Sequence, residues 1–438
     1  MVSVCFYFQI HQPYRVRKYS IFDIGNRSDY FSDSSGTKLD NKWIIDKIAK
    51  KCYFPTNAVL LELLNKYPEF KICYSFSGVY LEQLEECAPE VLESFKKLVD
   101  TGRVEILAET YYHSLSFMYS KGEFREQIKL HTQLIKRIFG VTPEVFRNTE
   151  LAYSNELALE IEAMGYKGII AEGWEHFLDG KSPNYVYRPK GAKRIKVLTK
   201  NYKLSDDLAF RFSNKGWCEW PLDVPRYTSW INSVNGNGDT INLFMDYETF
   251  GEHQWADTGI FEFLRAFPGE VLKHPDNDFK TPSEVIDAYP DRGEYDVPYV
   301  LSWADMERDL SAWNGNDIQK SAIEKIYSLG HQVLKTRDPE LIHVWRKLQT
   351  SDHFYYMCTK YFSDGDVHKY FNPYDSPYDA FISFMNVIQD LEIRLKRYSS
   401  VEKTAVLHTP EGLNKGSNIS EKIYKVNRVS SKEVLNEN

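Results

Sequence analysis

The chain has 438 residues, of which 42% are hydrophobic and 26% charged, a composition typical of globular proteins. Disorder, collagen and coiled coil are therefore excluded as descriptions of the whole chain. The 54 basic and 62 acidic side chains give a net charge of −8, which argues against a nucleic-acid partner because no basic footprint is present. Aromatic residues make up 15% of the chain, an excess that either fills a core or lines a site for flat, partly apolar ligands such as sugars.

Cysteine usage and the first residues of the chain both indicate a cytoplasmic protein. The six cysteines lie far apart with no C-x-x-C pair, so we expect reduced thiols. The segment from Met1 to Pro13 has no basic region and no small-residue cleavage site, so no signal peptide is predicted. No run of 18 apolar residues occurs, and no membrane partner is therefore expected.

Helix and strand patterns alternate along most of the chain. Apolar residues recur at every second position from Val2 to Ile10, which indicates a strand, and Pro13 stops it. One helix is predicted to be capped by Ser154 and closed by Gly165. Further strands are predicted at KICYSFSG, VEILAET, EVFRNTE, GIIAEG, IKVLTK and INLFMDYETFG. This repetition has the spacing of a parallel sheet or barrel and predicts an α/β fold.

Composition and periodicity divide the chain into three predicted units. Residues 1–314 form a barrel unit, with inserted loops rich in Pro, Tyr and Trp at about 174–238 that shape its mouth. Residues 315–400 carry apolar side chains at helical spacing, among them Ile382, and predict a C-terminal helical region. This region either completes a cleft or only covers the barrel. Residues 401–438 are polar, so we expect a poorly ordered tail or a short docking segment.

Polar residues of the catalytic kind recur where the predicted strands end, and in barrels these ends face a common mouth. Asp246 and Glu248 share one strand face, with Tyr247 opposite. Convergent carboxylates suit work on a glycosidic bond, where one attacks the anomeric carbon and another protonates the leaving oxygen. Any one of them alone is more often a solvated or structural residue, but recurrence at four strand ends favours a site. The residues are His11, Glu105, Glu109, Glu150, Asp246 and Glu248.

Motifs of three other chemistries are missing from the sequence. The closest two histidines are His343 and His353, so no H-x-x-H or H-x-x-x-H pair is available to hold zinc on one helix. No glycine-rich nucleotide loop occurs, and neither does a G-x-S-x-G elbow. We therefore expect neither a metal nor a cofactor, although metal ligands from separate strands remain open.

Five motifs in order along the chain resemble those of glycoside hydrolase family 57. They cover Val2 to about Asn316, which is most of the chain. The resemblance implies an incomplete (β/α)7 barrel followed by a helical region, and a retaining mechanism on α-glucans. The motifs are H-Q-P from His11, G-R-V-E ending at Glu105, R-N-T-E ending at Glu150, D-Y-E-T-F-G-E-H from Asp246 to His253, and D-L-S-A-W from Asp309 to Trp313.

The resemblance also implies residue roles. Glu150 would be the nucleophile that forms a covalent glycosyl-enzyme, and Asp246 the general acid and base. Their carboxyl groups should then lie about 5 to 5.5 Å apart, because an inverting pair lies about 6.5 to 9.5 Å apart. Other positions expected to bind or border the substrate are His11, Glu105, Arg147, Glu248, His253, Asp309 and Trp313.

Arg147 departs from the family pattern, because many members carry Trp three residues before the nucleophile. A cation so close to Glu150 would favour the ionised carboxylate. It also removes one potential stacking platform for a sugar ring. That task falls to other rings, for which core packing is an equal alternative; the candidates are Trp174, Tyr185, Tyr187, Trp255, Trp303 and Trp313.

The sequence thus predicts an α-amylase-like enzyme that hydrolyses internal α-1,4 bonds of starch, glycogen or maltooligosaccharides. A 4-α-glucanotransferase or branching enzyme on the same catalytic pair is the nearest alternative. A barrel deacetylase with Asp and His metal ligands is disfavoured by the missing histidine pair. A non-catalytic glucan-binding protein is disfavoured because both catalytic carboxylates are present.

Overall fold

The computed structural model describes residues 2–33, 40–360 and 371–407. Its strands are β1 (Val2–Ile10), β2 (Ile72–Phe76), β3 (Val104–Ile106), β4 (Val145–Arg147), β5 (Gly168–Glu172), β6 (Val186–Pro189), β7 (Lys196–Lys200), β8 (Thr240–Asp246), β9 (Asn277–Phe279) and β10 (Glu294–Tyr295). The helices of the first 310 residues are α1 (Asn41–Ile48), α2 (Phe54–Lys66), α3 (Gly78–Cys87), α4 (Pro89–Val99), α5 (Ser116–Tyr119), α6 (Lys121–Phe139), α7 (Asn155–Ala163), α8 (Glu175–Leu178), α9 (Tyr202–Asp206), α10 (Val224–Asn232), α11 (Ile260–Val271) and α12 (Pro282–Ala288). The helices that follow are α13 (Ser311–Asn314), α14 (Asp317–Ser328), α15 (Gly330–Thr336), α16 (Pro339–Lys347), α17 (Ser351–Tyr355) and α18 (Pro377–Leu407). None of the helices in these ranges is both long and apolar enough to cross a membrane.

Seven parallel strands form an incomplete (β/α)7 barrel, as predicted. β3, β2, β1 and β8 make one sheet, and β4, β5 and β7 belong to the other. Ala108, just after β3, bridges to Phe146 of β4 and joins the sheets on one side. On the other side the backbone N–H of Asn201 donates to the carbonyl of Asn242 at 2.9 Å, which joins β7 to β8. These isolated backbone contacts close the barrel at two places where no continuous ladder of hydrogen bonds joins the strands.

β1 lies between β2 and β8 in the barrel and is buried on both faces. Val4, Phe6 and Phe8 pack into the hydrophobic cluster under the surrounding helices, whereas Cys5 and Tyr7 belong to the cluster inside the barrel. The period of two therefore predicted the strand and its two faces correctly.

The helix-capping signals also match the structure. The Ser154 hydroxyl accepts a hydrogen bond from the backbone N–H of Leu157 at the start of α7. Gly140 and Gly165 follow α6 and α7 with φ values of 74° and 95°, a region that glycine adopts without strain. Local sequence therefore sets the ends of the helices that bring the chain back to the next strand.

The segment 174–238 contains β7, at the strand predicted for IKVLTK, and β7 pairs with β5 as a barrel strand. Two expectations about the C-terminal part of the chain need correction. Ile382 is 54% exposed, so the buried face of α18 lies elsewhere on that helix. α18 continues to Leu407, into the segment predicted as a polar tail, and residues 408–438 lie outside the described residues.

The C-terminal helices pack directly on the barrel. Their hydrophobic cluster includes Trp313 and Trp345 but also Val16, Tyr30 and Leu115, which belong to loops following β1 and β3. Burial of apolar area contributes about 25 cal/mol per Å², so a shared core of this kind binds the two regions firmly together. The helical region is therefore placed to reach the mouth of the barrel.

A glycine in the fourth motif is required by its backbone geometry. Gly251 has a φ of 111°, and a Cβ at this position would collide with the carbonyl oxygen of Lys51. We expect Gly251→Ala to lower the free energy of unfolding by about 2 kcal/mol or more, from backbone strain and overpacking. Chemical denaturation measures this. Gly122→Ala in α6, where a Cβ meets nothing, is the control and should be neutral or stabilising; equal losses in both variants would contradict the explanation.

Candidate active site

A cleft of about 380 Å³ opens at the carboxyl ends of the barrel strands and continues into an inner chamber of about 100 Å³. Glu150 and Asp246 line both spaces, together with His253 and Trp303. Carboxyl ends of strands are where barrel enzymes carry their active sites. The structure thus brings the two expected catalytic carboxylates to one cavity.

Glu150 lies in an unusual backbone conformation just after β4. Its φ is 57° and that of Leu151 is 52°, a left-handed region that costs non-glycine residues about 1 to 3 kcal/mol each. The Ser302 hydroxyl donates to the backbone carbonyl of Glu150 at 2.9 Å and helps to hold this turn. The turn directs the side chain into the cleft, where it is 9% exposed.

The side chains of Trp303, Ser351 and His113 are among those that contact the Glu150 carboxylate. The indole N–H of Trp303 donates to Oε2 at 3.3 Å. The hydroxyl of Ser351 donates to Oε1 at 3.1 Å, and Nε2 of His113 lies 3.3 Å from the same oxygen. Hydrogen bonds to an ionised carboxylate favour that form, which is the form a nucleophile needs.

His113 is held between two buried carboxylates, Glu109 and Glu150. Burial disfavours its charge, but the two carboxylates, 3.5 and 3.3 Å from its ring nitrogens, raise the pKa of His113 to about 9. Burial also opposes ionisation of Glu109, yet the adjacent positive charge of His113 brings the pKa of Glu109 down to about 2. At neutral pH a protonated imidazole therefore lies beneath the Glu150 carboxylate.

His11 lies beside this charged group. Its ring stacks on His113 with centroids 3.8 Å apart and an angle of 17° between the planes. Its ring nitrogens are hydrogen-bonded to Ser77 Oγ at 2.6 Å and to Asp352 Oδ2 at 2.9 Å. Burial and then the charge of His113 lower the pKa of His11, so a neutral ring supports a protonated one.

Asp246 ends β8, and Glu248 follows in the helical turn Tyr247–Thr249. Both line the inner chamber, while Tyr247 is buried in the hydrophobic core. The two carboxylates thus reach one space as expected, but the predicted shared strand face is wrong because the strand ends at Asp246. The hydroxyl of Tyr53 donates to Glu248 Oε1 at 2.5 Å. Burial and then the charge of Asp246 raise the pKa of Glu248 to about 8. At neutral pH the Glu248 carboxyl group is therefore mainly protonated, in the same chamber as Asp246.

Arg147 lines the inner chamber, but its side chain is fully buried. Its guanidinium carbon lies 5.1 Å from the centroid of the Trp303 ring, and Lys200 Nζ lies 5.6 Å from the same centroid. One guanidinium nitrogen lies 3.9 Å from Glu109 Oε2. Arg147 is thus part of the chamber wall, where it supports Trp303 and lies against Glu109, and its expected contact with the substrate stays a prediction.

Two predicted site residues lie away from the cleft. The Glu105 carboxylate accepts hydrogen bonds from the Ser283 backbone N–H at 2.9 Å and hydroxyl at 2.5 Å, at the start of α12. The Asp309 carboxylate accepts from the Ser311 backbone N–H at 2.8 Å, at the start of α13. Neither lines the cleft or the chamber, so the expectation that these two border the substrate is corrected.

The aromatic candidates divide between cleft and core. Trp303 and Trp313 line the cleft, although Trp313 is fully buried. Trp174, Tyr185 and Tyr187 pack in a hydrophobic cluster beside β5 and β7. Trp255 is exposed, and the Lys51 ammonium lies 5.0 Å from its ring centroid. Lining rings that sequence reasoning missed are Phe210 and Tyr355, which no motif marks.

A charged network forms another wall of the cleft. Lys200 Nζ lies 3.0 Å from Asp206 Oδ1 and 3.7 Å from Glu172 Oε2, and Arg308 donates to the same Glu172 oxygen at 2.7 Å. Glu172 is fully buried, so its charge needs both cations. The pairing fixes Lys200 close to Trp303.

The C-terminal helical region contributes directly to the site. Ser351 and Asp352 open α17, and they contact Glu150 and His11 respectively. Neither residue lies in a recognised motif, so no sequence signal marks them. Of the two roles left open for this region, the structure supports completion of the cleft.

Within residues 2–33, 40–360 and 371–407, no group of three His, Cys, Asp or Glu side chains is arranged to hold a metal ion.

Comparison with known families matches residues 5–298 to Glycosyl hydrolase family 57. The chain belongs to this family. A protein of Methanocaldococcus jannaschii that carries alpha-amylase as a provisional name is 44% identical over 405 residues, covering 90% of this chain and 85% of that protein. The alpha-amylase of Pyrococcus furiosus is 25% identical over 272 residues, which cover 60% of this chain and 39% of that protein's length.

Solved structures agree with the family 57 fold. The crystal structure of a branching enzyme of this family from Thermococcus kodakaraensis matches with a TM-score of 0.65 at 15% identity, over 91% of this chain and 92% of that one. The 4-alpha-glucanotransferase of Thermococcus litoralis matches with a TM-score of 0.58 at 19% identity, over 81% of this chain and 56% of that one. At this identity the likeness shows the fold.

Replacing His113 tests whether its positive charge favours the ionised form of the Glu150 carboxylate. His113 has a φ of 48°, which asparagine tolerates, so His113→Asn is the best replacement. We expect kcat/KM on a maltooligosaccharide to fall roughly tenfold to a hundredfold at pH 7, and the acid limb of the pH profile to move upward. His331→Asn on exposed α15 is the control. An unchanged acid limb in His113→Asn would contradict this role.

The raised pKa of Glu248 predicts a pH dependence of stability. Between about pH 4.5 and 8 the unfolded state releases a proton that the folded state keeps, so stability falls as pH rises. Relative to Glu248→Gln, the wild-type free energy of unfolding should decrease across this window and stay level above it. Denaturation of both proteins at stepped pH measures the difference, and a difference that is constant with pH would show that Glu248 ionises normally.

Proposed function

We propose that this family 57 glycoside hydrolase is an α-amylase-like enzyme that cleaves internal α-1,4-glucosidic bonds of starch, glycogen or maltooligosaccharides with retention. The observation that supports this most directly is the cleft in which Glu150 and Asp246 are both exposed to one cavity. The environment of Glu150 adds support, because its carboxylate is surrounded by the donors of His113, Ser351 and Trp303. An ionised carboxylate held in this way is suited to attack on an anomeric carbon.

The mechanism follows from the two carboxyl groups. Glu150 attacks C1 of the glucosyl unit, and an ester bond forms as the bond between C1 and the glycosidic oxygen breaks. Asp246 gives its proton to that leaving oxygen. Asp246 then takes a proton from water, whose oxygen attacks C1 and releases Glu150. Glu248 keeps its own proton at neutral pH, which limits the negative charge beside Asp246.

Transfer to a sugar acceptor is the second candidate. It uses the same pair, with a sugar hydroxyl in place of water in the second step. The family includes relatives named 4-alpha-glucanotransferase, such as that of Thermococcus litoralis, 22% identical over 272 residues. The chain spans about 39% of that relative's length, so its acceptor chemistry is a proposal for this chain and no more. The relative with the most similar length carries the amylase name, which favours hydrolysis.

The six cysteines, all free in the structure, are compatible with a reducing compartment, and we propose a cytoplasmic location with an α-glucan as the partner. The proposed reaction needs no cofactor, because both proton transfers and the covalent step are carried by side chains. Activity retained in a chelator would also eliminate a metal-dependent deacetylase.

Turnover of maltoheptaose separates the candidates. We expect the wild-type protein to increase the number of reducing ends, and Glu150→Gln to lose at least about a thousandfold in kcat because the nucleophile is gone. Glu105→Gln is the matched control, since it makes the same change in a motif residue outside the cleft, and it should retain turnover. A steady number of reducing ends with redistributed chain lengths would instead identify a transferase. Equal activity in both variants would refute the site assignment.

A further inference from the structure

Ser351 is the first residue of α17 and lies beyond residues 5–298, the part that matches the family. Its side chain is fully buried at the inner edge of the helical region. The hydroxyl donates to Glu150 Oε1 at 3.1 Å. A residue of the C-terminal region thus touches the nucleophile itself.

The position of Ser351 is fixed by the barrel. Its backbone N–H donates to the carbonyl of His113 at 2.9 Å, and the preceding Thr350 forms an antiparallel bridge with Ser114. Nε2 of His113 lies 3.3 Å from the same oxygen of Glu150. The two side chains that meet at this oxygen are therefore linked to each other through the backbone.

Buried polar side chains brace this junction. Ser114 Oγ donates to Gln127 Oε1 at 2.7 Å, and Gln127 Nε2 donates to Gln349 Oε1 at 3.0 Å. Arg346 donates to both oxygens of Glu123, at 2.8 and 3.1 Å. A buried hydrogen-bond network of this kind favours one arrangement of the chain. It holds the start of α17 against the loop that carries His113.

We propose that Ser351 is a positioning residue for the nucleophile, through which the C-terminal helical region sets the reactivity of the barrel. Its hydroxyl fixes Oε1 and favours the ionised carboxylate, so the other oxygen is oriented for attack. This inference rests on the proposed role of Glu150 as the nucleophile.

The test compares Ser351→Ala and Ser351→Cys with the wild type in the full chain. Alanine removes the donor, and cysteine fills nearly the same space with only a weak donor. For both variants we expect kcat on maltoheptaose to fall roughly tenfold to a hundredfold with KM nearly unchanged. The acid limb of the pH profile should move upward by about one pH unit. Ser328→Ala, at an exposed site on α14, is the control and should match the wild type.

A merely structural role would lower the melting temperature but would leave kcat and the acid limb of the folded protein unchanged. That result in Ser351→Cys, which preserves the packing, overturns the inference even if Ser351→Ala fails to fold. An active wild type with unaltered variants overturns only the role of Ser351. A wild type that is inert toward maltoheptaose overturns the proposed function and this inference with it.

Discussion

A protonated imidazole shared by two buried carboxylates is the interaction on which the active site depends. His113 lies within 3.5 Å of Glu109 and within 3.3 Å of Glu150, and all three side chains are almost excluded from water. Charges in such a place are tolerated only when they are paired, and loss of one partner leaves the others uncompensated. Arg147 adds a second cation next to Glu109. The Glu150 carboxylate thus lies against a positive charge that the buried residues beneath it hold in place.

The fold supplies this arrangement from distant parts of the chain. Gln9 at the end of β1 donates to Glu109 at 3.0 Å, and the segment after β3 carries both Glu109 and His113. The turn after β4 presents Glu150 in a left-handed conformation that surrounding hydrogen bonds maintain. α17 closes the site from the opposite side with Ser351. The barrel alone therefore does not supply all of the contacts that position Glu150.

The sequence predicted what local patterns determine. A few adjacent residues determine the alternation in β1 and the caps of α7. The ordered motifs located Glu150 and Asp246. Glu105 shows the limit of such reasoning. It lies four residues before Glu109, about 13 Å along an extended chain, so only one of the two can be at the mouth. The motif pointed to Glu105, but the direction of β3 places Glu109 at this end of the barrel, where it is buried beneath the chamber against His113 and Arg147.

Tertiary contacts explain why the sequence did not reveal the positions of the other site residues. Ser351 and Asp352 belong to a short helix without a motif, and they meet Glu150 and His11 only because the helical region shares a core with the loops of the barrel. Arg147 has the charge expected to assist Glu150, yet the sequence could not show that it lies behind Trp303. Side-chain direction at such positions follows from packing across the barrel.

The identity of the nucleophile is the claim from which the mechanism follows. It is tested most directly by trapping the intermediate with a fluorinated maltosyl fluoride that slows the second step, and then locating the adduct by peptide mass mapping. A glycosyl ester on Glu150 is the predicted result. An ester on Asp246 or Glu248, or complete turnover with inversion and no adduct, would contradict it.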